Sequence, residues 1–185
     1  MSKQKLKKII QERALEIAPK DKPFILKSGK KSDYYLDLRK VTTYGQGLRL
    51  ICWKIEQMLL NEGIFPDSIG GPETGAIPII GGLIVRLSPI CTSGFWVKKE
   101  RKVHGMENII EGSFIEGGKV VLVEDVTTSG DSLMRACNIV KKMGGEVCKA
   151  ITVVNRDNAH IMFAETAYSF ASIFTIEEIL EENNV

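Results

Sequence analysis

Residues 119–132, KVVLVEDVTTSGDS, constrain the fold more than any other part of the chain. The first half is apolar and β-branched without alternation, as a parallel strand covered on both faces must be. It delivers two adjacent carboxylates, Glu124 and Asp125, followed by a turn of hydroxyl residues and one glycine. From Asp131 onward the apolar spacing is helical. Strand, tight turn and helix in that order belong to an α/β fold, in which ligands sit beyond the carboxyl ends of the strands. The start of a helix offers unpaired N–H groups and a positive dipole end, so the turn suits a phosphate. Thr127, Thr128, Ser129 and Ser132 add hydroxyl donors, and Gly130 lets the backbone approach the anion. No Gly-Lys-Ser/Thr follows, which excludes a Walker A loop.

Two acids beside a phosphate cradle make sense if the ligand also carries hydroxyls to be gripped. A ribose 5-phosphate has both. The rest of the chain alternates helical and strand-like stretches. A first helix is expected over residues 3–17, ended by Pro19, with extended chain over 24–38. Residues 45–60 place Leu48, Ile51, Cys52, Ile55 and Leu59 on one helical face. Ser68–Gly70 reads as a short buried strand and Ala76–Leu87 as a helix with glycines at its middle. Residues 95–97 end a strand, and 98–112 are polar without a clear period, which points to a binding loop or lid. A helix over 131–143, strands over 147–154 and 169–174, and a closing helix over 175–180 complete the pattern. Thr175 and Glu178 there have the spacing of a capping box.

A chain of 185 residues suits one domain. Its net charge of +2 is too small to suggest a nucleic-acid or membrane surface, and the Lys-rich start reads as a solvated helix face. No apolar run approaches the roughly 18 residues of a membrane span, and the basic N-terminus lacks the apolar core of a secretory signal. Cys52, Cys91, Cys137 and Cys148 form no CxxC pair, and His104 and His160 stand far apart. Idle or buried thiols in a reducing cytoplasm are the expectation, with no zinc site.

Residues 120–132 resemble the PRPP-binding motif of type I phosphoribosyltransferases, where PRPP is phosphoribosyl pyrophosphate. The resemblance implies that Glu124 and Asp125 grip the ribose hydroxyls while the loop Val126, Thr127, Thr128, Ser129, Gly130, Asp131 and Ser132 holds the 5-phosphate. Asp131 departs from the smaller or neutral residue common there, so its carboxylate is expected to point outward. Three further segments resemble the orotate phosphoribosyltransferases within that family. Residues 24–39, FILKSGKKSDYYLDLR, are similar to their N-terminal signature, which implies that Lys27 and the pair Tyr34 and Tyr35 lie at the orotate site. Asp33 stands where proline is frequent. Residues 95–105, FWVKKERKVHG, are similar to their mobile catalytic loop. Lys98, Lys99, Lys102 and His104 would then contact pyrophosphate, with Lys102 and His104 serving catalysis together with Asp125. Lys98 replaces an arginine there and loses its bidentate fork. Arg156, after the strand ending at Val154, matches the arginine that binds the orotate carboxylate, with Thr128 beside it. Residues 70–75, GGPETG, correspond to the loop that meets pyrophosphate through backbone groups, where Glu73 is an awkward neighbour for an anion.

The resemblance implies one type I phosphoribosyltransferase domain over residues 1–185. It would be a central parallel sheet flanked by helices, with a small hood mainly from about 1–40 and a mobile loop at about 98–112. It also implies phosphoribosyl transfer from PRPP to orotate. Mg²⁺ would be carried by PRPP and water rather than by direct protein ligands, and a homodimer would share its active sites. Two other readings fit the same fold, a transferase for another nucleobase and a non-catalytic PRPP-binding regulator. The cations Lys27 and Arg156 argue against a neutral purine, and Lys99, Lys102 and His104 argue against a regulator.

Overall fold

A computed structural model describes residues 2–25, 29, 31–89, 93–99, 109–157 and 159–181. In chain order the elements are α1 (Ser2–Arg13), β1 (Leu15–Ile17), β2 (Phe24–Ile25), β3 (Lys31–Ser32), β4 (Tyr34–Leu36), α2 (Arg39–Thr42), α3 (Gly45–Asn61), β5 (Ser68–Gly70) and α4 (Ala76–Leu87). There follow β6 (Ser93–Val97), β7 (Ile110–Gly112), β8 (Lys119–Thr127), α5 (Asp131–Lys142), β9 (Glu146–Asn155), α6 (Ala159–Ala164), β10 (Phe170–Thr175) and α7 (Ile176–Leu180).

The main sheet has six strands in the order β10-β9-β8-β5-β6-β7. β8 lies inside it, parallel to β5 on one side and to β9 on the other. Val120, Val121, Leu122 and Val123 are fully buried, each contributing about 1.5–3 kcal/mol of transfer free energy. Period-two alternation divides them between two cores. Val121 and Val123 pack with α1, α3, α4 and α7, whereas Val120 and Leu122 pack with α5 and Phe163 of α6. On α5 the buried residues are Leu133, Ala136, Cys137 and Val140, one helical face turned to the sheet. Gly82 in the middle of α4 has a packing reason: a β-carbon there would lie 2.7 Å from Cys52 Sγ on α3. Burial pushes the Cys52 and Cys137 thiols up to about 12, so both behave as small core hydrophobes. The capping box closes as expected, with Thr175 N–H donating to Glu178 and Glu178 N–H to Thr175 Oγ1.

Two expectations need correction. The helix expected over residues 3–17 stops at Arg13, and Leu15–Ile17 instead pairs antiparallel with Tyr34–Leu36. Helix propensity is a weak preference, and cross-strand pairing with a distant segment overrides it here. The other concerns the edge of the expected parallel sheet of β10, β9, β8, β5 and β6, to which β7 adds antiparallel to β6. β7 lies within the stretch read as loop. It has three residues, and among them only Ile110 is buried, too little pattern to identify a strand without its partner. Gly112 ends it at φ +96°, and a β-carbon there would lie 2.6 Å from the Gly94 carbonyl oxygen. The short helices α2 and α6 also carried no readable period. No helix among the described residues is long and apolar enough to cross a membrane.

Candidate active site

The acids stand in the last turn of pleat of β8, still inside the strand. Glu124 follows the parity of Val120 and Leu122, towards α5, and Asp125 that of Val121 and Val123, towards α4. A cavity of about 210 Å³ opens on the α5 side, lined by Glu124 and by Val126, Thr127, Thr128, Ser129, Gly130, Asp131 and Ser132. Gly130 caps α5 at φ +98°, a left-handed conformation that favours glycine. α6 packs against this turn, for a β-carbon on Gly130 would meet Met162 Sδ at 3.3 Å. Asp131 is exposed, and its Oδ2 accepts from Ser129 Oγ at 2.5 Å.

Asp125 faces the other loop. A β-carbon at Gly75, the residue before α4, would fall 2.2 Å from Asp125 Oδ1. Gly71 is as confined, with Val123 O at 2.2 Å from such an atom. The GGPETG turn thus lies directly against the end of β8. Burial pushes the Glu124 carboxyl up to about 8, and the adjacent Asp125 charge adds to the shift. The Thr127 hydroxyl, donating to Glu124 Oε2 at 3.2 Å, and the charge of Lys99 act against it. Asp125 is also raised, by burial first, against the pull of the Val126 N–H at 2.9 Å and of Arg39. Both carboxyls are half-buried at the end of the strand, and this loss of water favours their neutral form.

Arg156 is anchored to the same end of the sheet, its N–H donating to Thr127 O at 2.8 Å. Its Nε donates to the Tyr34 hydroxyl at 3.1 Å, and the guanidinium carbon lies 5.0 Å from the centre of the Tyr34 ring. Tyr34 and Arg156, read from separate motifs, therefore meet. Tyr35 does not join them. It alternates to the opposite face of β4, is exposed, and packs at 5.9 Å against Phe24.

At the rim, Lys98 Nζ pairs with Glu111 of β7 at 2.7 Å. Lys99 is exposed, and its N–H donates to Glu73 Oε1 at 2.7 Å. The Glu73 carboxylate is thereby occupied by backbone. Lys27, Lys102 and His104 lie outside the described residues. Two arginines were missed by sequence reasoning. Arg39, forked onto Asp37 at 2.7 and 2.9 Å, acts electrostatically on Asp125; it stands in the quoted N-terminal motif, which was the available signal. Arg135 donates to the Lys98 carbonyl at 2.7 Å. As a polar residue on an amphipathic helix it carried no signal. Among the described residues no three His, Cys, Asp or Glu side chains group as metal ligands.

A hydroxyl-lined turn, an acid pair and a guanidinium–phenol pair thus gather at the carboxyl ends of β8 and β9. Comparison with known proteins identifies the family. Residues 44–179 match the model of the phosphoribosyl transferase domain family. The orotate phosphoribosyltransferase of Pyrococcus furiosus is 35% identical over 187 residues, spanning 100% of this chain and 98% of the relative. The crystal structure of Mycobacterium tuberculosis orotate phosphoribosyltransferase in complex with Fe(III) dicitrate superposes with a TM-score of 0.83 at 27% identity, covering 98% of this chain and 100% of that one. The same Mycobacterium tuberculosis enzyme in complex with PRPP superposes with a TM-score of 0.78 at 25% identity, covering 97% and 99%.

Proposed function

This chain belongs to the orotate phosphoribosyltransferase family, and from that premise we propose how its own residues transfer the 5-phosphoribosyl group of PRPP to orotate, giving orotidine 5′-monophosphate and pyrophosphate. The 5-phosphate sits in the cradle of residues 126–132, taking hydrogen bonds from its hydroxyls and from the start of α5. Glu124 and Asp125 accept from the ribose 2- and 3-hydroxyls. The 71–75 turn, close against Asp125, meets the diphosphate through backbone N–H groups, with Lys98 and Lys99 as cations beside it. Arg156 forks onto the orotate carboxylate, and Tyr34 orients that guanidinium and lies against the base. Lys27 and Thr128 complete the orotate site, whereas Tyr35 points elsewhere and is left out. The meeting of Tyr34 and Arg156 beside the 126–132 turn is the observation that carries this reading, because a guanidinium there suits a carboxylate on the base.

Orotate N1 attacks ribose C1 as the C1–oxygen bond to pyrophosphate breaks, and the carbon carries oxocarbenium-like charge between them. At neutral pH the charge of orotate is on its carboxylate, so N1 gives up its proton as the new bond forms, and the departing pyrophosphate, served by Lys102 and His104, takes up the balancing proton. The remaining catalysis is positioning and charge management.

Phosphoribosyltransferases of this kind generally use Mg²⁺ with PRPP, and the site fits it. Glu124 and Asp125 are hard oxygen donors whose pKa values burial raises first of all. Mg²⁺ carried by PRPP and water would supply charge neutralisation for the diphosphate, with Glu124 and Asp125 holding it through water rather than as direct ligands. The two small sheets, β1 with β4 and β2 with β3, form the hood. We place the enzyme in the cytoplasm as a homodimer with shared sites; the free thiols of Cys52, Cys137 and Cys148 suit a reducing compartment.

The test is an assay with PRPP and Mg²⁺ on orotate, adenine, hypoxanthine and uracil in parallel. Orotate alone is expected to be consumed, with stoichiometric pyrophosphate. Turnover of a purine without turnover of orotate would overturn the reading.

A further inference from the structure

One peptide unit at the rim of the site is gripped at both ends by side chains of opposite charge. The Lys98 carbonyl accepts from Arg135 Nη1 at 2.7 Å, and the Lys99 N–H of the same peptide donates to Glu73 Oε1 at 2.7 Å. Charge-assisted bonds of this kind are roughly twice as strong as neutral ones. The residues before this peptide are held too. Val97 N–H donates to Gly71 O at 2.8 Å and Glu73 N–H to Val97 O at 3.0 Å, while Lys98 N–H donates to Ile109 O at 2.9 Å.

The two gripping residues come from the two parts of the molecule that flank the acid pair. Glu73 belongs to the turn that touches Asp125 through Gly75. Arg135 stands on α5, the helix that starts in the phosphate cradle. Lys99, between them, acts electrostatically on Glu124. A carboxylate beside a diphosphate would repel it, but one bonded to backbone N–H is turned to another use.

We infer that Glu73 and Arg135 are positioning residues for phosphoribosyl transfer: between them they pin the Lys98–Lys99 peptide, and so set Lys99 against the acid pair. The inference rests on the proposed reaction, since the diphosphate of PRPP is what those cations meet. Glu73 and Arg135 touch no reacting atom. They act through one peptide, so losing either grip frees the same unit.

The experiment compares Glu73→Gln, Glu73→Ala, Arg135→Met and the Glu73→Ala/Arg135→Met double variant in the full-length enzyme. Two readouts are taken, steady-state kinetics and amide hydrogen exchange at Lys99. Glutamine keeps the Oε1 acceptor, so Glu73→Gln is expected within about 3-fold of wild type. Glu73→Ala and Arg135→Met each lower kcat about 10- to 100-fold, with orotate KM within about 2-fold. The Lys99 amide exchanges about 10-fold faster in Glu73→Ala. The double variant is no worse than the poorer single one, because both lesions release one peptide. Unchanged exchange and kcat in Glu73→Ala, equal damage from glutamine and alanine, or multiplying effects in the double variant would each overturn the inference. A wild-type enzyme inert towards orotate would instead sink the proposed reaction, and the exchange result would still show whether the clamp exists.

Discussion

Gly75 stands so close to the Asp125 carboxylate that a β-carbon there would lie 2.2 Å from Oδ1 and 2.5 Å from Oδ2. The glycine is therefore required by its neighbour across the sheet end, not by its own backbone. Gly75→Ala must displace the Asp125 carboxyl or the turn. The PRPP KM is expected to rise on the order of 10-fold while the orotate KM holds. Initial rates at varied PRPP decide it, and an unaltered PRPP KM would mean that Asp125 does not grip the ribose from this position.

Tyr34 and Arg156 form the second test. Tyr34→Phe removes one hydrogen bond to the guanidinium, worth about 1 kcal/mol, and is expected to raise the orotate KM about 5-fold. Arg156→Ala leaves a substrate carboxylate unpaired and should lower kcat/KM for orotate by about 100-fold or more. A loss of PRPP affinity in Arg156→Ala, with orotate KM intact, would assign the arginine to the other substrate.

The acid pair predicts how stability depends on pH. Glu124 has an ordinary pKa of 4.5 and is pushed by burial to about 8 in the folded chain. Between those values the folded protein keeps a proton that the unfolded chain has released. The carboxyl's contribution is thus complete below about pH 4.5 and is lost as pH rises through 8. Glu124→Gln keeps an acceptor for Thr127 and abolishes this titration. Thermal unfolding of the ligand-free proteins should show the variant melting higher than wild type above pH 8, by on the order of 5 °C, and the gap closing in acid. Parallel curves across the whole range would exclude a buried, titrating Glu124.

The proposed shared active sites would make a quantitative demand on mixed dimers. If Lys102 acts in the neighbouring subunit and Asp125 in its own, a dimer of Lys102→Ala and Asp125→Asn chains has one intact site and one doubly damaged site. Random exchange makes about half the dimers mixed, so co-refolding the two inactive variants should return roughly a quarter of wild-type orotate turnover. A mixture as inactive as its parents, with mixed dimers demonstrated, would place both residues in one chain's site.

Local pattern alone determined the centre of this protein. The run of β-branched residues from Val120 to Val123, the acids after it and the hydroxyl turn into α5 are all contiguous, and each has a short-range physical cause. The same is true of the apolar faces of α3 and α5 and of the Thr175–Glu178 capping box. Tertiary structure decided whatever depends on a distant partner. Leu15–Ile17 leaves the helical pattern because Tyr34–Leu36 offers a ladder, and Ile110–Gly112 becomes a strand only beside Phe95–Val97. The sequence brings Tyr34 and Tyr35 forward equally, and strand alternation with the reach of Arg156 separates them. Glu73, unwelcome beside a diphosphate on paper, finds its use in the Lys99 N–H. Propensity and periodicity act over a few residues, whereas these pairings join segments that only the packed sheet brings within hydrogen-bond distance.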